Sequence, residues 1–278
     1  MRDGSRDPEP LTLGVVGAGR LGSAVLRAAA EQSVPVLLTA TATDGWTVRE
    51  RPDVLIDASA PAALDEVAAY CRTTGTPLVS CVSHTAPAAL DTLAALAAQV
   101  PVLYAVNLAF GHYLQGRFIE LARTLPRAAG AATAVGDRHP PRKAARPSAT
   151  ALRLADRWSA HGAPRPEVAF VRGGSEVSDH EITWTWPDGE SVTVRHSVTS
   201  LAAPAGAALA GARWIRHRPP GRYSVDELYD ERHAAAGDVP GPPTGRCATD
   251  APRPAAGDLP GRWPADSPDS VGTTGART

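Results

Sequence analysis

The sequence predicts an α/β protein with two parts, a Rossmann-type domain built on a parallel sheet and an α+β domain with an open, mainly antiparallel sheet. Up to about residue 108, short apolar strands alternate with Ala-rich helices, an order that produces a parallel sheet with right-handed crossovers. Beyond that point, stretches of alternating apolar and polar residues succeed one another. Pro187-Asp-Gly189 separates two of them and is typical of a hairpin turn.

A glycine-rich turn follows the first predicted strand, residues 11–16, and precedes a helix that ends near Glu31. Gly17, Gly19 and Gly22 have the G-x-G-x-x-G spacing. The first glycine turns the chain, the second lets a pyrophosphate approach, and the third lets the helix pack on the strand. In this strand, turn and helix context the motif predicts a dinucleotide site, with an ordinary glycine-rich turn as the alternative.

The second predicted strand, residues 34–40, should carry the residue that contacts the adenosine ribose. Sites for NAD usually have an acid there, but this strand continues through Thr39-Ala-Thr-Ala-Thr43 before Asp44. Without an acid at the tip a 2′-phosphate is not repelled, and Arg20 in the glycine turn could hold it. The sequence therefore favours NADPH, with NADH as the alternative if Asp44 reaches the ribose.

Composition excludes several other classes of protein. The 278 residues, of which 43% are hydrophobic, suffice for two modest cores. A net charge of -1 offers no basic surface for nucleic acid or for a membrane. Three cysteines are too few for a disulfide framework. Since the sequence has neither a signal-peptide core nor an apolar run of membrane length, we expect a cytoplasmic protein.

The segment 137–152 carries the most informative chemistry. His139 and Lys143 lie four residues apart, just before a helix that opens at Ser148. An imidazole can donate a proton near neutral pH, and a helix N-terminus attracts anions. The segment predicts a site for a small carboxylated substrate, and a basic surface loop is the alternative. No His, Asp or Glu pair has ligand spacing on a predicted helix or strand, so we expect no metal.

This segment resembles the signature of the dihydrodipicolinate reductases, roughly Glu-x-His-His-x-x-Lys-x-Asp-x-Pro-Ser-Gly-Thr-Ala. The positions in register with it are Asp137, His139, Lys143, Pro147, Ser148, Thr150 and Ala151. Further stretches resemble the family in the same order along residues 11–232. They are 53–61, 105–107, 171–174, 179–180, 194–196 and 219–228. Collinear similarity of this extent is not expected of a chance motif.

The resemblance implies an NAD(P)H-dependent reductase that transfers a hydride to a conjugated cyclic imine, formed by loss of water from 4-hydroxy-tetrahydrodipicolinate, in lysine biosynthesis. It implies that His139 is a general acid or charge stabiliser and Lys143 a second cation. The substrate-binding residues it implies are Ser148, Ala149 and Thr150. The cofactor-binding residues it implies are Gly17, Gly19, Arg20, Leu21, Gly22, Ser59, Cys81, Ser83 and Asn107. It also implies a homotetramer or another homo-oligomer.

The chain departs from the family pattern near the implied nicotinamide and substrate. Cys81-Val-Ser83-His84 replaces Gly-Thr-Thr-Gly, and His84 is interpreted as a surface residue in a reshaped turn, or else as a new active-site group. Other family residues are replaced by Pro140, Ala145, Ala149 and Leu201. These changes favour a paralogue in specialised metabolism that reduces another cyclic imine. A non-redox function, lyase-like or nucleotide-binding, is the remaining alternative.

The predicted domain organisation has a flexible N-terminus, residues 1–10, followed by a dinucleotide-binding domain over 11–108 that a segment over 204–232 completes. Residues 109–203 form the predicted substrate-binding and oligomerisation domain, in which a strand over 131–135 precedes the His139 segment and a helix over about 148–160 follows it. From residue 234 to 278 the chain is rich in Pro, Gly, Ala and Asp, without apolar periodicity. Such a segment cannot bury enough apolar surface to offset its ordering entropy, so we expect a disordered tail.

Overall fold

The computed structural model describes residues 10–83, 86–160, 162–174 and 178–235. Its strands are β1 (Leu13–Val16), β2 (Val36–Thr41), β3 (Gly45–Val48), β4 (Val54–Asp57), β5 (Leu78–Ser80), β6 (Pro101–Tyr104), β7 (Ala132–His139), β8 (Glu167–Arg172), β9 (Ser178–Thr185), β10 (Ser191–Val198) and β11 (Gly221–Tyr223). Its α-helices are α1 (Arg20–Glu31), α2 (Leu64–Thr74), α3 (Pro87–Ala97), α4 (Phe110–Thr124), α5 (Ala149–Ser159), α6 (Ala202–Ile215) and α7 (Val225–Ala235). Two 3-10 helices cover Pro61–Ala63 and Pro126–Gly130.

The first sheet has the strand order β11-β6-β5-β4-β1-β2-β3. Every neighbouring pair is parallel except β2 with β3, which form an antiparallel hairpin at one edge. The predicted Rossmann-type sheet is confirmed. The edge strands β3 and β11 were not predicted, because each is short and largely exposed and so lacks the apolar run that marks the inner strands.

Helices cover both faces of this sheet. On one face α1 and α6 bury Val25 and Leu209 against Leu13 and Ile56 of the central strands. On the other face α2 and α3 pack on Leu55 and its neighbours. The two hydrophobic layers hold the carboxyl ends of the parallel strands in place, and ligands of such sheets bind at those ends.

The second sheet has the order β10-β9-β7-β8. Pairs β10 with β9 and β9 with β7 are antiparallel, whereas β7 and β8 are parallel, so the sheet is mainly antiparallel as predicted. Its core joins Val135 and Ile182 of the strands to Leu154 and Trp158 of α5. Strand β7 is longer than the predicted strand over 131–135, because it begins at Ala132 and continues to His139.

The chain ends differ slightly from the prediction, or lie outside the described residues. Helix α7 runs to Ala235, so the first two residues assigned to the tail belong to a helix. The rest of the predicted tail lies outside the described residues, as do His84 and all but residue 10 of the predicted N-terminal segment. In the part of the chain that the structure describes, no helix is long and apolar enough to cross a membrane.

Candidate active site

The glycine turn lies at the carboxyl end of β1 and forms one wall of a cleft of about 510 Å³. Gly17 has φ +99°, and a Cβ there would lie 2.6 Å from the main-chain oxygen of Ala58. A Cβ on Gly22 would collide with the carbonyl of Gly17, whereas a Cβ on Gly19 would meet no atom within 4 Å. Gly17 and Gly22 are therefore needed by the fold, and Gly19 borders open space at the start of α1.

An aromatic wall that the sequence did not predict closes the far side of this cleft. The indole of Trp46 on β3 stacks on Tyr70 at 5.2 Å between ring centroids, and its Nε1 donates to Glu66 Oε2 at 3.2 Å. Trp46 and Glu66 line the cleft together with Ser59 and Thr41. The cleft thus combines a glycine turn at a helix N-terminus with an aromatic surface, an arrangement that suits a pyrophosphate and a base.

The other residues predicted to bind a cofactor lie at the same sheet edge or next to the glycine turn. Arg20 is the exposed first residue of α1, and Leu21 packs on the core beneath it. Cys81 follows β5, and its main-chain N donates to Asp57 at 2.8 Å. Ser83 is half-buried. Asn107 follows β6 and accepts a hydrogen bond from the N–H of Ala109 at 3.0 Å.

The second group of predicted residues converges on Asp137, whose side chain is fully buried. Because Asp137 and His139 are two residues apart on β7, both point to the face of the sheet covered by helices. His139 Nδ1 lies 2.8 Å from Asp137 Oδ1, although the ring N–H is not aligned as a hydrogen bond. His180, the cross-strand partner of Asp137 on β9, brings Nε2 within 3.6 Å of the same oxygen.

Electrostatics keep this carboxylate ionised. Burial alone would raise the pKa of Asp137, but its contacts with His139, Ser148 and Arg172 outweigh burial and lower the pKa below the ordinary value. Burial also lowers the pKa of His180 to about 3, so this imidazole is neutral at working pH. Asp137 therefore carries the negative charge of the cluster and can only accept hydrogen bonds.

Ser148 joins this carboxylate to the start of α5. Its Oγ donates to Asp137 Oδ1 at 2.9 Å, and its main-chain N donates to Oδ2 at 2.8 Å. As the N-cap residue, Ser148 also accepts a hydrogen bond from the N–H of Ala151. The predicted helix over 148–160 is thus present as α5, with Ala149 and Thr150 in its first turn. The N–H groups of these two residues have no acceptor within the helix.

Lys143 lies in the turn between His139 and α5, and a buried arginine at the end of β8 holds that turn. Arg172 Nε donates to the main-chain oxygen of Lys143 at 3.3 Å, and Nη2 donates to that of Ala145 at 2.5 Å. The same Nη2 lies 3.0 Å from Asp137 Oδ2. One guanidinium therefore fixes the position of the Lys143 turn relative to the carboxylate beside His139.

Sequence reasoning gave no role to Arg172 or His180, although both are polar residues in strands with a buried face. It also found no pair with metal-ligand spacing, yet Asp137 and His139 share a strand, and with His180 their ligand atoms lie within 4.8 Å of one another. Both carboxylate oxygens of Asp137 already accept hydrogen bonds, and a guanidinium is adjacent. That positive charge opposes a cation at this position.

Comparison with protein families agrees with this architecture. The family model described as "Dihydrodipicolinate reductase, N-terminus" matches residues 11–108, which contain the glycine turn and the cleft. The model described as "Dihydrodipicolinate reductase, C-terminus" matches residues 113–229, which contain the Asp137 cluster. Together they span most of the chain.

Individual relatives and solved structures agree with these family matches. A 4-hydroxy-tetrahydrodipicolinate reductase from Stenotrophomonas maltophilia (strain K279a) is 32% identical over 237 residues, covering 79% of this chain and 98% of the relative. One from Xanthomonas campestris pv. campestris (strain B100) is 31% identical over 239 residues, with the same coverage. A dipicolinate-bound dihydrodipicolinate reductase from Paenisporosarcina sp. TG-14 has the same fold, with a TM-score of 0.57 at 15% identity over 77% of this chain and 97% of that one. The chain belongs to the dihydrodipicolinate reductase family, and it is an NAD(P)H-dependent oxidoreductase of that family.

Proposed function

We propose that the protein reduces a carboxylated cyclic imine or enamine, namely the compound derived from 4-hydroxy-tetrahydrodipicolinate or a close relative of it. Residues 11–108, completed by 204–232, would bind the cofactor, and residues 109–203 would bind the substrate. The observation that carries the proposal is that His139, the Lys143 turn and the start of α5 are tied together through Asp137 and Arg172. These contacts support a site that would combine a proton donor, a cation and an anion-binding helix N-terminus.

The cleft fits a nicotinamide dinucleotide. Open space at Gly19 and the N-terminus of α1 suit a pyrophosphate, and Ser59 and Trp46 line the same cleft. The cofactor, when bound, supplies the hydride. The part of the protein is to bind and orient it, with Gly17, Gly19, Arg20, Leu21, Gly22, Ser59, Cys81, Ser83 and Asn107 as the proposed contacts.

Substrate binding is proposed for Ser148, Ala149 and Thr150. Since the Ser148 hydroxyl is engaged with Asp137, a substrate carboxylate would bind the N–H groups of Ala149 and Thr150, and Ser148 would hold the helix start in place. Lys143 would provide the second cation for the carboxylate. His139 would deliver the proton that balances hydride addition to the C=N system, as an imidazole can do near neutral pH.

Either nicotinamide cofactor is proposed to bind. The sequence of the second strand alone favours NADPH, but the position of Asp44 leads us to propose that NADH binds at least as tightly. Thr41, at the tip of β2, donates its hydroxyl proton to Asp44 Oδ2 at 2.9 Å, so this carboxylate lies next to the cleft. An acid near the ribose contacts the hydroxyls of NADH and repels a 2′-phosphate. Calorimetric titration of Asp44→Asn should show tighter NADPH binding than in the wild type. Unchanged affinity for both cofactors would contradict this role of Asp44.

The function is tested by following absorbance at 340 nm with NADH or NADPH and the freshly generated lysine-pathway substrate. Oxidation of the cofactor that requires the substrate and is lost in His139→Gln supports the proposal. Turnover of only another cyclic imine would assign the chain to specialised metabolism, which the altered sequence over 81–84 and the replacements Ala149 and Leu201 favour. Tight cofactor binding without turnover of any imine would contradict the reductase proposal and favour a non-redox function.

A homo-oligomer, with a tetramer as the first expectation, is also proposed. Phe118 and Leu121 of helix α4 and Leu125, which follows the helix, are exposed. They line an apolar groove of about 340 Å³ with Trp186 and Val192. Exposed apolar grooves of this kind mark interaction surfaces, and a second copy of the chain is the proposed occupant. Light scattering on wild type and Leu121→Glu is the test. A monomeric wild-type protein would refute the proposal.

A further inference from the structure

Asp137 lies where four elements of the second sheet and its helices meet. Asp137 and His139 are on β7, His180 faces Asp137 across the β7–β9 pair, and Arg172 faces His139 across the β7–β8 pair. Ser148 begins α5, the helix between β7 and β8. Each of these residues has a polar atom within 3.6 Å of a carboxylate oxygen of Asp137.

The two oxygens of Asp137 have different kinds of partner. Oδ2 receives the main-chain N–H of Ser148 at 2.8 Å and a guanidinium N–H of Arg172 at 3.0 Å, and both groups can only donate. Oδ1 faces the Ser148 hydroxyl at 2.9 Å, His139 Nδ1 at 2.8 Å and His180 Nε2 at 3.6 Å. Every partner on the Oδ1 side can either donate or accept a hydrogen bond. The carboxylate therefore determines the direction of those contacts.

His139 Nδ1 lies 2.8 Å from this buried, ionised carboxylate, although the N–H is not aligned as a hydrogen bond. At that distance the negative charge repels a nitrogen lone pair and favours a proton on Nδ1. In neutral His139 that proton is the only one on a ring nitrogen. Nε2, on the other side of the ring, is then the nitrogen that gains or loses a proton. The same argument favours a proton on Nε2 of His180. That nitrogen lies near Asp137 Oδ1 and near the Ser148 hydroxyl, whose own proton is already donated to Asp137.

We infer that Asp137 is a positioning residue, which Arg172 and Ser148 hold in place, and that it keeps a proton on His139 Nδ1 so that His139 exchanges protons with the substrate only through Nε2. Its catalytic consequence rests on the proposed function of His139. The tautomer itself does not depend on it, and can be measured in the absence of any substrate.

The substitution Asp137→Asn tests the inference sharply, because the structure dictates how the amide must lie. Its oxygen has to occupy the Oδ2 position, since both partners there can only donate. The NH₂ group then faces His139 Nδ1 and requires an acceptor. In neutral His139 the proton should therefore move to Nε2, which removes the lone pair that would otherwise exchange with the substrate.

Asp179→Asn is the matched control. Asp179 is also buried on the second sheet and paired with an arginine, but its partner is Arg138. Because Asp179 directly precedes His180 on β9, its side chain lies on the face of the sheet opposite to His180. The same change of charge is thus made on the opposite face of the sheet. Tautomer and turnover should equal those of the wild type.

The measurement is nitrogen-15 NMR of protein with labelled imidazoles, with His139→Gln used to assign the His139 signals. We expect neutral His139 to carry its proton on Nδ1 in wild type and Asp179→Asn, and on Nε2 in Asp137→Asn. In the imine assay Asp137→Asn should lower kcat by roughly 10²- to 10⁴-fold, as for a catalytic histidine held in the wrong tautomer, with cofactor affinity unchanged.

A proton on Nε2 of neutral His139 in the wild-type protein would overturn the inference, even if Asp137→Asn failed to fold. A folded Asp137→Asn protein with unchanged tautomer and kcat would overturn it as well. If the tautomer switches as expected but the wild type reduces no imine, the positioning role stands and the proposed function fails. If the wild type reduces the imine through His139 but the tautomer is the other one, the proposed function stands and the positioning role fails.

Discussion

Arg172 donates through Nε to the main-chain oxygen of Lys143, 3.3 Å away, although the two residues are 29 positions apart in the chain. The guanidinium also lies against Asp137 and is almost completely buried. Its planar fork is well suited to contact a carboxylate and main-chain oxygens at once, whereas a lysine offers a single ammonium. The position of the Lys143 main chain therefore depends on a residue that need not touch the substrate.

The first prediction is that Arg172→Lys loosens the Lys143 turn. The Michaelis constant for the imine should rise about ten-fold, equivalent to the loss of a hydrogen bond to a charged group, while the dissociation constant for NADH stays the same. Steady-state kinetics and calorimetry measure the two quantities. Arg138→Lys, on the opposite face of the sheet, is the control. An unchanged Michaelis constant in a folded Arg172→Lys protein would refute the prediction.

The second prediction concerns the proton donor. His139→Gln should lower kcat by roughly 10²- to 10⁴-fold and keep cofactor affinity, because only the proton transfer is lost. Lys143→Ala should also lower kcat, with a higher Michaelis constant if the ammonium holds a carboxylate. The combined effect should be smaller than the product of the two, since the groups act together. A double variant with near-native turnover would remove both residues from the mechanism.

The third prediction separates the glycines of the turn. Gly19→Val should abolish dinucleotide binding without unfolding the protein, because its side chain projects into open space that a pyrophosphate would need. Gly17→Val should instead destabilise the fold, because φ is +99° and Ala58 lies in the way. Calorimetry and thermal melts distinguish the two effects. Tight cofactor binding by Gly19→Val would exclude the cleft as the dinucleotide site.

The fourth prediction tests the aromatic wall. Removal of the indole in Trp46→Ala takes away both the stack on Tyr70 and the hydrogen bond to Glu66, so NADH should bind about ten-fold more weakly. Trp46→Phe keeps an aromatic ring but loses the N–H donor, so its affinity for NADH should lie between those of the wild type and Trp46→Ala. Affinity is best measured by titration of the fluorescence of NADH. Equal affinity in all three proteins would show that the wall does not contact the cofactor.

The fifth prediction is a loss of stability in mild acid. Burial lowers the pKa of His112 and of His180 to about 3 in the folded protein, against about 6.5 in an unfolded chain. Between these values the unfolded chain binds protons that the native state does not. The free energy of unfolding should therefore fall by about 1.4 kcal/mol per pH unit for each histidine as pH decreases from 6.5.

Urea unfolding between pH 7 and pH 4.5 measures this dependence. The variant His112→Gln should show a shallower slope, since it removes one of the two proton uptakes. His217→Gln, at an exposed position, should follow the wild type. A stability that is constant over this range in the wild-type protein would contradict the buried neutral state of these histidines.

The sequence was sufficient to predict most of the fold because the inner strands are short, fully apolar runs between Ala-rich helices. It was also sufficient to recognise His139, Lys143 and Ser148, which lie within one contiguous segment. Arg172 and His180 could not be recognised from the sequence, because their contacts with Asp137 depend on how β8 and β9 pair with β7. Each lies opposite a residue of β7, and strand pairing over 33 or 43 residues of chain is not visible in local periodicity.

The hairpin of β2 and β3 escaped prediction for another reason. Trp46 is half-buried among exposed neighbours, so the segment has no strand pattern of its own. The position of Trp46 is fixed instead by contacts with Tyr70 and Glu66 of α2, a helix that follows later in the chain. The length of β7 was underestimated because its last residues, Asp137 to His139, are polar, and in isolation they indicate a loop.

The single parallel pair in the second sheet has a consequence for how this site can change. Because β7 and β8 run in the same direction with α5 between them, the proposed proton donor His139, Arg172 and the N-terminus of α5 all belong to one continuous β-α-β unit. Arg172 holds the turn over 140–147 through the main-chain oxygens of Lys143 and Ala145, so these contacts do not depend on the side chains of the turn. If the proposed function holds, substitutions in the turn would alter which imine is accepted, while His139 keeps its position. The β-α-β unit would then change its substrate selectivity while it keeps the same proposed proton donor.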